Sequence, residues 1–449
     1  MNVFPYCPDH TIQIAWLFSN KVHCRTRSGR LKKVMISETI AACEVNGRKY
    51  RLPSQPVVVI CIDGCADEYL SVSMAQGRMP RTLELSLQGY RGMVRGALPS
   101  FTNVNNAAIV TGMPPSVTGI CGNFFLNPDT GEEVMMNSPE FLRCPTILTT
   151  AAKAGRKVAF ITAKDKLRTV LGDGLVSLGG LAFSSEKVDE ARAATHGVDN
   201  AENIIGKAKP EIYSGDASAY VLEAGAALVE QDKSDFLYLS LTDFMQHKYA
   251  PEDEASLAFY EALDQQIGRL LDLNCIIGIT ADHGMNAKNA DDGAPNVIYV
   301  ETVLKAHFGE NLRVICPITD PYVVHHGALG ALVMVHLEDL SQQTAIADYL
   351  LSLDGITEVY DRQMAAKKLE LAEDRIGDLT VLCGRNVVVG RTPADHDLSV
   401  LKGGLRSHGG RYEEMVPMLL SRPLNEGYAA KAVGDPRNFD IFDFTCNGG

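Results

Sequence analysis

The 449-residue chain, 46% hydrophobic and 22% charged, has the size and composition of a soluble globular protein built on one large α/β domain with an insert or a second domain. Its formal net charge of -13 argues against a general nucleic-acid or anionic-membrane binder, and no apolar run approaches the roughly 20 residues of a membrane span. An anionic substrate stays open, because bound divalent cations reverse the field locally.

Residues 1–50 stand apart. Up to Lys33 they carry six Lys/Arg against one acid, Asp9. The apolar piece Ile12 to Phe18 is broken by Gln13, precedes the basic cluster and lacks a small-residue cleavage site, so it makes a poor secretory signal. A basic arm without chemistry, or upstream sequence with Met35 as the true start, are the two readings left. Eleven cysteines occur without a CxxC pair, and Cys61, Cys121, Cys144, Cys275 and Cys316 sit in apolar or Gly/Pro-rich surroundings typical of buried thiols. That pattern predicts a reducing compartment, the cytoplasm.

Val57 to Ile62 is a continuous β-branched run, as in a parallel strand covered on both faces, and it ends in Asp63-Gly64. A helix is predicted from Pro80. A second begins at Thr102, which sits at or next to its N-cap, and ends at Gly112 and Pro114. Thr118 to Phe125 is a Gly-rich turn displaying Asn123. A strand over Lys157 to Thr162 leads into Lys164-Asp165-Lys166, and one over Asp235 to Leu241 leads into Asp243 and His247. The long amphipathic helix Ala255 to Leu271 precedes the run Cys275 to Thr280, which ends in Ala281-Asp282-His283-Gly284. Strands alternating with helices predict an α/β fold with a mostly parallel sheet between helices. The texture changes after Met285. The expected division is a core over 51–289, an inserted smaller α+β cap over 290–402, and a return to the core over 403–449 at Gly403-Gly404-Leu405-Arg406-Ser407-His408-Gly409-Gly410.

Potential metal ligands thus gather at strand ends and post-strand loops: Asp63, Asp243 with His247, Asp282 with His283, and His408. Asp243 and His247 are four apart, so a helical turn puts both on one face. Mixed carboxylate and imidazole donors suit zinc-like ions better than magnesium or calcium. With Thr102 there are seven candidates, which split naturally into two ion sites sharing a nucleophile.

Asp63-Gly64, Pro99-Ser100-Phe101-Thr102-Asn103, Asp243-x-x-x-His247, Thr280 to Met285 and His408-Gly409-Gly410 together resemble the alkaline phosphatase superfamily, in particular its phosphodiesterase/pyrophosphatase branch. The resemblance covers about residues 56 to 420. It implies two zinc ions per chain, or other divalent transition ions, with Asp243, His247 and His408 on one and Asp63, Thr102, Asp282 and His283 on the other. A sulfatase Cys/Ser-x-Pro-x-Arg motif is not found at Thr102. A finer resemblance, carried by Lys164-Asp165-Lys166 and Gly122-Asn123-Phe124-Phe125, is to the phosphonoacetate hydrolase family. It implies that Lys164 and Lys166 hold a substrate carboxylate, that Asn123 contacts a phosphonate oxygen, and that Thr102 attacks phosphorus. The expected partners are a small-molecule phosphonate and at most a second copy of the chain, with neither nucleic acid nor membrane.

Two alternatives stay open: a nucleotide phosphodiesterase/pyrophosphatase, for which Phe124-Phe125 would supply a base-stacking slot, and a non-catalytic metal-binding protein on the same scaffold. His325-His326-Gly327 is expected at a loop or rim of the cap, Asp395-His396-Asp397 in a solvated loop, and His336 in a structural role. Phosphate loops, dinucleotide fingerprints, nucleophile elbows and HExxH are not found, which removes support for ATPases, nicotinamide enzymes, serine hydrolases and zincins.

Overall fold

A computed structural model describes residues 41–320, 326–401 and 404–449, together with the backbone of three earlier strands. Those strands, Ala15–Phe18, Lys21–Arg25 and Leu31–Val34, pair antiparallel in chain order within the unit Met1–Ala41. Their Trp, Phe and Val content favours extended backbone. Met35, His325 and Gly403 lie outside the described residues.

The second unit, Ala42–Gly449, is built on a seven-stranded sheet. In spatial order its strands are Leu181–Ser184, Val158–Thr162, Phe236–Ser240, Val57–Cys61, Ile276–Thr280, Met415–Leu420 and Tyr90–Arg95. The first five run parallel, and Met415–Leu420 lies antiparallel to both of its neighbours. The four strands Val158–Thr162, Phe236–Ser240, Val57–Cys61 and Ile276–Thr280 are buried at every residue. Helices on both faces explain why these strands read as unbroken apolar runs. One cover is the C-terminal helix Ile441–Asn447, which approaches so closely that a Cβ at Gly278 would lie 2.0 Å from Thr445 Oγ1.

Register decides where the chemistry-bearing residues fall. Thr162, Ser240, Cys61 and Thr280 are register partners across the four central strands. The segments that follow them, beginning Ala163, Leu241, Ile62 and Ala281, therefore leave the sheet along one edge. That edge carries Lys164, Asp243, Asp63 and Asp282.

A second sheet of four strands, in the order Leu312–Ile315, Leu332–Leu337, Leu379–Cys383 and Ile356–Asp361, is antiparallel throughout. Helices Val300–Phe308, Gln343–Ser352 and Arg362–Lys368 accompany it. It has its own apolar cluster, with Val300, Leu304, Val314, Val335, Leu350 and Val381 buried. The hairpin Ala42–Val45 and Arg48–Arg51 belongs to the larger unit, where Tyr50 is wholly buried in the main core. Among the described residues no helix is long and apolar enough to cross a membrane, and the nine described cysteines are free thiols.

Candidate active site

Asp63 follows the central strand and is buried, and the backbone there turns sharply at Gly64, whose φ is +70°. A Cβ at Gly64 would sit 2.9 Å from the Asp243 Cβ, so glycine is needed both for the turn and for the close approach. Thr102 is the first residue of the buried helix Thr102–Thr111, capped by extended Phe101 and ended by left-handed Gly112. The Thr102 Oγ1 lies 3.5 Å from Asp63 Oδ1 and 3.4 Å from His283 Nε2. Asp243 caps the short helix Phe244–Lys248, which carries His247 one turn on, and the two meet at 3.0 Å. His408 Nε2 is 3.6 Å from Asp243 Oδ2, and the His408 ring stacks on His283 with centroids 3.5 Å apart.

Two clusters of ligand atoms result: Asp243 with His247 and His408, and Asp63 with Asp243 and His283. Asp243 belongs to both. Asp282 stands just outside the second, with its Oδ2 3.8 Å from His283 Nε2. Its oxygens accept from Gly64 N, His283 N and Asn106 Nδ2.

The donor set fits cations, and the histidine tautomers carry that conclusion. His247 Nδ1 bonds the Arg406 carbonyl at 2.7 Å, His283 Nδ1 the Gly284 carbonyl at 2.9 Å, and His408 Nδ1 the Ser100 carbonyl at 2.7 Å. A carbonyl only accepts, so each Nδ1 carries its proton and each Nε2 turns a lone pair inward. Those lone pairs face carboxylate oxygens at 3.0 Å (His247 to Asp243) and 3.2 Å (His283 to Asp63). Two electron-rich atoms at that separation need a positive charge between them, supplied by a proton or a metal ion. The field says the same. Burial, then the charge of Asp63, pushes Asp282 up to about 8. Burial opposes a charged His283, yet Asp282 and Asp63 push it up to about 9.

Lys164 supplies part of the missing charge, donating to Asp63 Oδ2 at 2.8 Å and Asp243 Oδ1 at 3.1 Å. Burial works against its ammonium, but Asp243 and Asp63 outweigh it and hold the group charged above the ordinary lysine range. Asn123 is buried and tied to the segment after Leu312–Ile315 by its backbone N to Pro317 O and its Nδ2 to Ile318 O. Thr102, Asn123, Lys164, Lys166, Asp243 and His408 line one cavity.

Three residues of this site were not among the sequence candidates. His326, expected at the rim, is buried with its ring 5.3 Å from that of His247, and burial lowers it to about 3, which keeps it neutral. Asp320 lines the same cavity and pairs with Lys166. Asn106 has all its polar atoms engaged: Nδ2 donates to Thr102 O and Asp282 Oδ2, and Oδ1 accepts from Tyr238 and Ser240. His325-His326 carried a usable signal in its paired imidazoles; Asp320 and Asn106 carried none. His396, expected in a solvated loop, is buried instead, accepting from Arg391 N and bonding Gly327 O, while Asp395 and Asp397 on either side are exposed.

A model of the type I phosphodiesterase/nucleotide pyrophosphatase family matches residues 57–411. Among solved structures, the chain is 44% identical to phosphonoacetate hydrolase from Sinorhizobium meliloti 1021, seen in complexes with phosphonoacetate and with phosphonoformate. The match covers 91% of this chain and 98% of that one, with a TM-score of 0.87. Murine ectonucleotide pyrophosphatase/phosphodiesterase 5 shares the fold at 16% identity, covering 87% of this chain and 94% of that one, with a TM-score of 0.58. An uncharacterised pyrophosphatase/phosphodiesterase of Schizosaccharomyces pombe is 34% identical over 91 residues, 20% of this chain, which spans only 18% of that curated relative.

Proposed function

The chain belongs to the type I phosphodiesterase/nucleotide pyrophosphatase family, and we propose that within it the protein hydrolyses the P–C bond of phosphonoacetate to acetate and phosphate. The observation that carries this reading is the 44% identity to the Sinorhizobium meliloti enzyme over 98% of its length, joined to two lysines at the dicarboxylate edge. In this reading Asp243, His247 and His408 hold one zinc, and Asp63, Asp282, His283 and Thr102 hold a second. The segment 290–402 acts as a cap, and the reaction takes place in the cytoplasm. Bound there, divalent ions supply the positive charge that favours the Thr102 alkoxide and offsets charge on the phosphoryl oxygens.

Thr102 Oγ1 attacks phosphorus. The O–P bond forms as the P–C bond breaks, and the electron pair passes to carbon and spreads onto the carboxylate as an enolate. Lys164 and Lys166 face that charge as it grows, so their interaction is stronger in the transition state than in the ground state. Asn123 and the first N–H groups of helix Thr102–Thr111 face the phosphoryl oxygens. A proton from water completes acetate, and water hydrolyses the phosphothreonine to return Thr102.

The nucleotide-hydrolase alternative keeps only half of its stacking slot, the half-buried Phe124. Phe125 is buried edge-on against Phe141, with Arg375 over its ring, so it is not available to a base. The test is phosphate and acetate release from phosphonoacetate by the zinc-loaded protein, beside a nucleotide diester. Turnover of the diester with none of phosphonoacetate would reverse the assignment. Thr102→Ala should remove activity by at least about 10³-fold while leaving the melting temperature unchanged.

A further inference from the structure

Lys166 stands between two cavities. The inner one is lined by Thr102, Asn123, Asp243 and His408; the outer one, of ≈ 370 Å³, is lined by Ile212, Tyr213 and Phe244. Lys164, Lys166 and Asp320 line both. The two lysines have separate counter-ions. Lys164 reaches Asp63 and Asp243, whereas Lys166 pairs with Asp320, whose side chain is only 3% exposed. The pair also joins two parts of the fold. Lys166 lies in helix Asp165–Leu171 after a strand of the large sheet, and Asp320 lies just beyond strand Leu312–Ile315 of the small one.

A buried ammonium next to another ammonium tends to lose its proton. Even with Asp320 in contact, burial and then Lys164 push Lys166 down to about 7, with Asp243, Glu186 and Asp63 opposing more weakly. Among the described residues, Asp165, Lys187 and Tyr213 also face the pair from the outer cavity, and His326 of the inner cavity stays neutral. A carboxylate in contact counters that loss and also fixes one end of a long, flexible side chain.

We infer that Asp320 is a positioning residue for the substrate carboxylate, holding the Lys166 ammonium charged and aimed at the mouth of the inner cavity. The inference rests on the proposed function, in which Lys166 contacts that carboxylate. An ammonium has three donors, so one hydrogen bond to Asp320 leaves others for the substrate.

The experiment is the pH profile of kcat/KM for phosphonoacetate with the zinc-loaded full-length protein carrying Asp320→Asn, Asp320→Glu, Lys166→Ala or Asp320→Asn with Lys166→Ala. Lys166→Ala should lower kcat/KM across the whole range. Asp320→Asn should cost about tenfold above pH 8 yet come within about twofold of wild type near pH 6, where Lys166 keeps its proton unaided. Asp320→Glu should retain the wild-type profile, and the double variant should be no worse than Lys166→Ala. A uniform loss in Asp320→Asn at every pH, or no loss at all while Lys166→Ala is impaired, would overturn the role of Asp320 and leave the proposed function standing. An unimpaired Lys166→Ala would overturn the carboxylate contact and the inference with it. Should Asp320→Asn fail to fold, Asp320→Ser, smaller and equally uncharged, replaces it with the same expected profile.

Discussion

The two sheets of the larger unit contribute to the site in different ways. The seven-stranded sheet supplies Asp63, Asp243 and Asp282 from strand ends locked in register, and backbone carbonyls orient the histidines beside them. The four-stranded sheet brings Asp320 and His326, which lie in sequence between its strands Leu312–Ile315 and Leu332–Leu337. Strand ends give a rigid frame, so the large sheet suits holding ion-binding side chains at fixed separations. Loops can be exchanged without disturbing that frame, so the small sheet can alter the setting of Lys166 while the lysine itself stays on the large one.

The largest break in this contrast should come from Asp243, the one side chain in both ligand clusters. Asp243→Asn should lower kcat by at least about 10³-fold and reduce metal retained after dialysis at both sites, measured by elemental analysis. His408→Ala should empty only one. Equal metal content in the two variants would show that the clusters are independent.

Next in size is Asn106→Ala, which leaves Tyr238 and Ser240 hydroxyls and the Asp282 carboxylate without their shared partner. It should cost about 1–3 kcal/mol in denaturant melts and 10–100-fold in turnover, because the Thr102 helix and Asp282 lose their tie.

In the small sheet, Leu350→Ala opens a cavity in a separate apolar cluster. Stability should fall by about 2–5 kcal/mol while bound metal is unchanged. Loss of metal in this variant would mean that the small sheet also holds the frame.

The smallest effect belongs to His336, on strand Leu332–Leu337, whose imidazole burial pushes down to about 4. A histidine held neutral in the folded state contributes stability above its unfolded pKa of about 6.5, and that contribution drains away as pH falls toward 4. His336→Gln should therefore flatten the acid limb of the stability curve in urea melts, with kcat at pH 7.5 unchanged.

The difference between the sheets also explains what could be read beforehand. Val57 to Ile62 and Cys275 to Thr280 are apolar runs long enough to announce buried parallel strands, and an acid placed straight after such a run is conspicuous. The mostly parallel sheet and the strand-end residues Asp63, Asp243, Asp282 and His283 were legible for that reason, whereas Thr102 and His408 were grouped with them through the family resemblance. Asp320 follows a short edge strand, and its partner Lys166 lies more than 150 residues earlier, so nothing local marks it. Asn106 looks like any polar residue in a helix until Tyr238, Ser240 and Asp282 arrive from two other strands. His396 was misjudged because its acidic neighbours are exposed, while the imidazole turns inward to two backbone groups.

The strand order has a consequence for how the protein is made. Tyr90–Arg95 is an outer strand of the seven-stranded sheet and pairs within it only with Met415–Leu420. During synthesis it must wait for more than 300 residues before its neighbour exists, a long-range closure of the kind that slows folding and leaves an edge exposed. His408 emerges just ahead of that strand. Any product terminated before about residue 420 thus lacks all or part of the strand that pairs Tyr90–Arg95, and would meet the quality-control machinery with an unpaired edge.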